Sequence, residues 1–321
     1  MEKNSKNGPS GFLNRTWRRG LMLWIGLSLT LSNGCSIRKY AINRLGDALS
    51  QTGTTFASDE DPDLIKDAAP FSLKLIESLL AETPTHRSLL LAAASGFTQY
   101  AYAFVQQPAD EIEERDLAAA DAWRARARRL YLRARDYGLR GLAAAHPGFP
   151  AALRENPKQT VRRARKTDVP LIYWTAAAWA SAIALAKDNP ELVADLPIIE
   201  AMIDQALELE ESYADGALHT FLVSYEMSRR TASGDPAVRS RRHFERARDL
   251  SRGRQAAPFV ALAEAVTVQK QDVKEFEFLL NQALAIDPNA DPEQRLINLV
   301  MQRRARWLLS RKAELFLIPD P

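Results

Sequence analysis

The chain has 321 residues, of which 46% are hydrophobic and only 14 are glycine, and its abundance of Ala, Leu and Arg favours helix over sheet. The chain has 43 Lys and Arg residues, five of them in residues 1–34, and 40 Asp and Glu residues, one of them in that segment. The rest of the chain therefore has 38 basic and 39 acidic residues. That near-neutral balance argues against a nucleic-acid partner. The single cysteine excludes an intramolecular disulfide, so stability must come from packing.

The N-terminal segment 1–34 is typical of a secretion signal. Basic side chains precede an apolar run from Leu21 to Leu31, whose 11 residues are too few for a membrane span of about 20 residues. The run leads into Leu-Ser-Asn-Gly-Cys, which resembles a bacterial lipobox, although Leu31 lies four residues before Cys35 instead of three. We expect a signal peptide over 1–34, lipid attachment at Cys35 and a tether over 35–60. The alternative is an ordinary signal peptide with a chance cysteine.

A series of helical patterns, separated by Pro, Gly and Asp-Pro, begins at Asp61, and no alternating strand pattern appears. We predict a helix from Asp63 to Ala81, a second from Pro84 to about Gln106, a long third after Pro108 that ends near Gly138, a turn at His146–Pro150, and an apolar helix capped by Asp168 that runs to about Lys187. The stretch 169–186 lacks charge but is only 18 residues long and mostly small. We therefore expect a buried central helix there and not a membrane span.

Internal repetition is the most informative feature of the sequence. A large apolar residue stands three positions before and another three positions after each of four alanines: Ala134, Ala206, Ala247 and Ala283. Their spacings of 72, 41 and 36 residues fit a 34-residue tetratricopeptide period with short insertions. Such an alanine lets the second helix of a pair approach its neighbours closely. The sequence therefore predicts an all-α fold in which tetratricopeptide-like helical-hairpin repeats form a compact α-solenoid over residues 61–316.

A family resemblance covers most of the chain. It is carried by seven segments, among them Tyr-Trp-Thr-Ala-Ala-Ala-Trp at 173–179: residues 61–74, 96–105, 130–139, 168–179, 243–247, 283–288 and 303–309. Over residues 35–316 the chain resembles the TRAP transporter TatT component family. The resemblance implies a periplasm-facing lipoprotein with a tetratricopeptide-like α-fold, associated with the substrate-binding protein of a TRAP-type transporter. It also implies a hydrophobic cleft or pore through the helical body as a ligand route.

Catalytic and metal-binding patterns are missing from the sequence. It contains no nucleotide-binding glycine motif, no Gly-x-Ser-x-Gly and no His-Glu-x-x-His. The four histidines, His86, His146, His219 and His243, are scattered singly along the chain, and we interpret His219 as a hydrogen-bonded core residue. We expect no enzymatic activity, no cofactor and no metal.

Aromatic residues on two predicted helices form the candidate ligand site. Phe97, Tyr100 and Phe104 follow at i, i+3 and i+7 on one face, with Tyr102 pointing elsewhere. The second group consists of Tyr173, Trp174 and Trp179, with the two tryptophans on different faces. Neighbouring alanines such as Ala177 leave space beside these rings, and Tyr and Trp suit a lined cleft because each combines an apolar body with a polar atom. The alternative is an ordinary packed core.

Together these patterns predict a non-enzymatic accessory lipoprotein of a TRAP-type transporter. It would dock the periplasmic substrate-binding protein and pass on a hydrophobic or organic-acid ligand. The alternative is a tetratricopeptide-type scaffold lipoprotein for envelope assembly, which would hold a peptide or protein on its concave face. Because Ser36 stands where an aspartate would favour inner-membrane retention, we expect a lipid anchor in the outer membrane, on its periplasmic side. We also expect a homo-oligomer, with a trimer as the first expectation.

Overall fold

The computed structural model describes residues 53–229 and 231–317, and within these residues the regular elements are helices, without a strand. The all-α prediction is therefore confirmed. The helices are α1 (Gly53–Ala57), α2 (Pro62–Glu82), α3 (Arg87–Ala101), α4 (Gln107–Ile112), α5 (Leu117–Ala145), α6 (Phe149–Glu155), α7 (Pro157–Val161), α8 (Val169–Ala184), α9 (Pro190–Val193), α10 (Leu196–Leu209), α11 (Ala217–Tyr225), α12 (Pro236–Leu250), α13 (Ala257–Leu262), α14 (Val268–Lys270), α15 (Val273–Ala285), α16 (Arg295–Ser310) and α17 (Lys312–Leu315). The π-helical turns Tyr102–Gln106 and Ala263–Thr267 join α3 to α4 and α13 to α14. The predicted signal peptide and the predicted lipid-attachment residue Cys35 lie outside the described residues.

Proline and aspartate start several helices in the way that the sequence predicts. The carboxylate of Asp61 accepts hydrogen bonds from the backbone N–H groups of Asp63 and Leu64 at the start of α2. Pro108 was expected to separate two helices, but the chain continues through it to Ile112. Pro108 directly follows the π-helical turn Tyr102–Gln106, where the ordinary i to i−4 hydrogen bonding is already interrupted, so proline is tolerated there.

The four repeat alanines are fully buried, with an exposed fraction of 0% each. Ala134 lies in α5, which packs on α3 and α8, and Ala206 lies in α10, which packs on α8. Ala247 lies in α12, which packs on α11, and Ala283 lies in α15, which packs on α16. The large residue three positions earlier is also buried in each case: Tyr131, Ile203, Phe244 and Leu280. The predicted close helix contacts are therefore present, while the tetratricopeptide-like solenoid as a whole stays a prediction.

The end of the long helix α5 differs from the prediction. Gly138 was expected to terminate it, yet α5 continues to Ala145 and Gly138 is buried inside it. A Cβ atom at Gly138 would lie 2.0 Å from Thr175 Oγ1, and one at Gly141 would lie 2.6 Å from a methyl group of Leu171. These glycines serve to bring α5 against α8, which is a use of glycine that its sequence position does not distinguish from a C-terminal cap.

Asp168 directly precedes α8 as predicted, but its carboxylate does not cap that helix. Instead it accepts hydrogen bonds from the backbone N–H of Arg165 and pairs with Arg87 and His146, at 2.5 and 2.9 Å. Burial alone would raise the pKa of Asp168, but the hydrogen bonds from His146 and Arg165, together with Arg87, hold it below its usual value. The buried network fixes the start of α8 against the start of α3 and the end of α5.

The apolar helix α8 is buried, as the sequence predicts. It has 16 residues, and no helix in the described part of the chain is long and apolar enough to cross a membrane. Its largest fully buried side chain, Trp179, has an exposed fraction of 1%. One apolar cluster surrounds α8 and α10, and a second is built on α13, α15 and α16.

We predict that Gly138→Ala destabilises the protein although alanine has the higher helix propensity. The propensity gain is about 1 kcal/mol, but the new Cβ would meet Thr175 Oγ1 at 2.0 Å and Thr175 Cα at 3.3 Å. Overpacking of this kind costs about 1–3 kcal/mol, so we expect a net loss of roughly 1 kcal/mol in urea denaturation. Adding Thr175→Ala should restore part of the loss. An unchanged or raised denaturation midpoint for Gly138→Ala would contradict the close approach of α5 and α8.

Candidate functional site

A cavity of about 480 Å³, here called the aromatic cavity, is lined by residues of α1, α2, α3, α8, α11 and α16, of the first π-helical turn, and of the segments before α11 and α13. This volume lies within the range of small-molecule sites. Small side chains of several helices leave the space open, among them Ala69 of α2, Gly96 of α3 and Ala177 of α8. The cavity is therefore large enough for a small organic ligand.

Four of the six predicted aromatic residues line this cavity: Tyr100, Phe104, Tyr173 and Trp174. The rings of Tyr100 and Phe104 lie 5.7 Å apart, and those of Tyr173 and Trp174 lie 5.0 Å apart in an edge-to-face arrangement. Members of both predicted groups are thus brought together on one cavity.

Phe97 and Trp179 belong to the packed core instead. Phe97 has an exposed fraction of 3% and stacks on Tyr137 of α5 at 6.0 Å. Trp179 is contacted by the guanidinium groups of Arg135 and Arg154, at 5.0 and 5.8 Å from its ring. Such cation–π contacts stabilise a large aromatic ring that is packed in the core. Residue type and spacing do not distinguish these rings from those that line the cavity.

Tyr102 also lines the cavity, although the helical period placed it on another face. The difference arises in the π-helical turn Tyr102–Gln106, where the N–H of Gln107 bonds to the carbonyl of Tyr102, five residues earlier. Such a turn contains one extra residue, so the 3.6-residue period does not continue across it. The Tyr102 hydroxyl lies 3.7 Å from the sulfur of Met301. Burial raises the pKa of Tyr102.

A fourth lining tyrosine, Tyr213, lies beside α8. The ring of Tyr213 lies 5.4 Å from that of Tyr173. Burial raises the pKa of Tyr213 to about 12, even though Trp174 donates a hydrogen bond to its hydroxyl. Burial, with Tyr213 as a smaller cause, raises the pKa of Tyr173 as well. Both hydroxyls are therefore neutral at physiological pH.

The backbone that carries Tyr213 to the cavity is strained. Ala214 and Asp215 have φ values of 45° and 54°, and Gly216 follows with a φ of 96°. A Cβ at Gly216 would approach the backbone of Ala247 to 3.1 Å, so glycine is required there. Left-handed non-glycine residues persist only where their surroundings fix them, and they concentrate at functional sites.

The lining carries almost no charge. Among the described residues that border the cavity, Glu293 is acidic, and none is Lys, Arg, His or Asp. Several lining hydroxyls are satisfied by their own helix; Thr98 Oγ1, for example, donates to the carbonyl of Ala94 at 2.7 Å. The cavity therefore offers apolar and aromatic surface with few free polar atoms.

Comparison with known proteins identifies the family. A model of the TRAP transporter T-component family matches residues 58–316. The chain belongs to this family. The resemblance drawn from the sequence is thus confirmed, and the T-component has an accessory role in a TRAP transporter. This chain is also 29% identical to an uncharacterized protein of Treponema pallidum (strain Nichols) over 308 residues, which cover 90% of this chain and 95% of that protein.

Two histidines of the T-component that are far apart in sequence meet outside the aromatic cavity. His219 of α11 is buried, as predicted, and its Nδ1 lies 2.8 Å from Nδ1 of His243 in α12. Its Nε2 lies 3.1 Å from a carboxylate oxygen of Glu211, which can only accept, so His219 Nε2 carries the hydrogen and its Nδ1 accepts from His243. Burial lowers the pKa of His243 to about 4, so this pair is neutral at physiological pH and joins α11 to α12.

Two polar residues of the cavity give no signal in the sequence. Gln255 and Asn298 line it from the segment before α13 and from α16. Neither belongs to an aromatic or charged pattern, and 43 residues separate them in the chain. Nothing in their spacing could have identified them.

We predict that Ala177→Leu and its neighbour Ala178→Leu have different effects on stability. Ala177 borders the cavity, whereas Ala178 is fully buried in the cluster formed with α3 and α5. Ala177→Leu should change the free energy of unfolding by less than about 1 kcal/mol, while Ala178→Leu should cost about 1–3 kcal/mol through overpacking. Thermal and urea denaturation of both variants provide the measurement. Equal losses would mean that the space beside Ala177 is filled in solution.

Proposed function

We propose that this T-component is a lipid-anchored, non-enzymatic subunit that docks the periplasmic substrate-binding protein of its TRAP transporter and passes a hydrophobic ligand through the aromatic cavity. The observation that carries the proposal is the cavity itself, which is lined by aromatic rings of two separate helices in a member of this transporter family. Apolar pockets with a few polar groups are the usual form of a small-molecule site.

The lining favours a hydrophobic ligand over an ionised organic acid. A carboxylate that leaves water must be paired with a cation or with several hydrogen-bond donors. The described lining contains no Lys, Arg or His to provide that cation, and Glu293 would repel an anion. An apolar ligand, in contrast, gains from contact with the rings of Tyr100, Phe104 and Trp174.

The family match favours this role over the envelope-assembly scaffold that the repeats alone would allow. A scaffold would use its surface to hold a peptide or protein and would have no need for an enclosed apolar cavity. We place the subunit on the periplasmic side of the outer membrane, anchored through Cys35, and we propose a trimer as its oligomeric state. The lipobox-like sequence that ends at Cys35 supports the anchor.

We predict that the tagged, full-length chain recovers a TRAP-type substrate-binding protein from detergent-solubilised envelopes. The measurement is mass spectrometry of the recovered proteins, with an unrelated lipoprotein that carries the same tag as the control. Recovery of a β-barrel assembly component or a pilin in place of the binding protein would overturn the transporter role.

The cavity variant Ala177→Leu should still recover the binding protein but should lower ligand uptake by cells, because it fills the cavity without changing the docking surface.

We predict that Cys35→Ala abolishes labelling with radioactive palmitate and leaves an unprocessed precursor. The reason is that Cys35 is the only cysteine of the chain and stands at the end of the apolar signal run. Ser36→Ala serves as the matched control and should be labelled like the wild type. Persistent labelling of Cys35→Ala would show that the lipid is attached elsewhere.

A further inference from the structure

Gln255 is an unusual member of the cavity lining. It precedes α13 and borders the cavity, with an exposed fraction of only 8%. Its carboxamide forms no hydrogen bond with any residue that the structure describes, and neither the oxygen nor the nitrogen is fully enclosed by protein. A buried amide without a protein partner is rare, because its donors and acceptor must be satisfied by water or by a ligand.

The backbone on both sides of Gln255 is held by one buried side chain. Asn298 of α16 accepts a hydrogen bond from the N–H of Ala256 at 2.9 Å and donates one to the carbonyl of Arg254 at 3.0 Å. With an exposed fraction of 1%, Asn298 is itself shielded from solvent. Arg254 is further tied to Asp291 by an ion pair of 3.3 Å. The peptide groups before and after Gln255 are thus fixed, which pre-positions its amide at the cavity.

Several other polar atoms of the lining already form hydrogen bonds within the protein. The hydroxyls of Ser72, Thr98 and Thr220 donate to carbonyls of their own helices. The side-chain oxygen and nitrogen of Asn298 each form a hydrogen bond with the backbone, and the Tyr213 hydroxyl accepts a hydrogen bond from Trp174. The Tyr173 hydroxyl is neutral and makes no hydrogen bond with the described residues. Among the lining side chains that form no hydrogen bond with the described residues, Gln255 is the buried one, and its neighbouring peptide groups are fixed by Asn298. Tyr173 is the natural comparison.

We propose that Gln255 is the polar recognition point of the aromatic cavity and that the ligand is a largely apolar molecule with one neutral hydrogen-bonding group, such as a carboxamide, a hydroxyl or a carbonyl. The inference rests on the proposed function, in which the cavity takes a hydrophobic ligand. A primary amide both donates and accepts, so it pairs with neutral groups of either kind. It provides no charge to balance an anion, and the described lining holds no cation nearby.

The test uses four matched ligands on the full-length chain in lipid nanodiscs. Naphthalene, 2-naphthamide, 2-naphthol and 2-naphthoate share one ring system and differ in the polar group. Each displaces the uncharged fluorescent probe N-phenyl-1-naphthylamine, and empty nanodiscs give the lipid background. We expect 2-naphthamide and 2-naphthol to bind about fivefold more tightly than naphthalene, the effect of one net hydrogen bond, and 2-naphthoate to bind more weakly than either at pH 8.

The decisive variant is Gln255→Met, which is close in size but cannot hydrogen bond in this way. It should bind naphthalene and the probe like the wild type and lose the fivefold preference. Tyr173→Phe, the control, should keep that preference. Gln255→Ala is the second variant and should show the same loss if Gln255→Met is poorly folded by circular dichroism.

The outcomes separate this inference from the proposed function. Probe binding with an unchanged preference in both Gln255 variants overturns the role of Gln255 alone, as does loss of the preference in Tyr173→Phe. Tightest binding of 2-naphthoate by the wild type overturns the neutral ligand class. Failure of the wild type to bind the probe or any naphthalene compound overturns both this inference and ligand passage through the cavity, while docking of the binding protein is measured independently by its recovery from envelopes.

Discussion

The close approach of α5 to α8 determines where the aromatic cavity lies. Gly138 and Gly141 remove side chains from the contact, so Thr175 and Leu171 of α8 pack directly against the backbone of α5. Because α8 is apolar on every side, each of its faces must be covered. The helices α3, α5 and α10 cover most of it, and the face that carries Tyr173, Trp174 and Ala177 borders the cavity instead. The cavity thus lies against the face of α8 that α3, α5 and α10 leave uncovered.

A buried guanidinium group holds the opposite side of the cavity together. Arg304 of α16 pairs with Asp110 at 2.8 Å, just after the first π-helical turn, and with Glu264, inside the second. Its guanidinium lies 4.2 Å from the ring of Trp307. A charge buried to this extent is stable only when several partners surround it. The same side chain therefore ties both π-helical turns to α16, and one of these turns places Tyr102 in the cavity.

The sequence predicts those features that depend on local residue patterns. The burial of the repeat alanines such as Ala247 and the apolar central helix follow from period and composition, and the family follows from the resemblance of seven sequence segments. Features that depend on contacts between distant elements do not follow. Gly138 resembles a helix end until Thr175 is known to lie against it, and Tyr102 changes face because a π-helical turn interrupts the 3.6-residue period. Gln255 gives no signal, since its importance comes from Asn298 on another helix.

The proposed passage of a ligand requires reversible binding, which the chemistry of the cavity would allow. Differences in affinity between related complexes arise mainly in the dissociation rate. A buried ion pair would slow release, because separating its charges leaves each of them unsolvated in the interior. The lining of aromatic rings and alanines, together with the Gln255 amide, which has no partner among the described residues, offers contact that is broad but weakly directional. One neutral hydrogen bond would orient a ligand at a small cost to its release, and this chemistry supports the proposed passage.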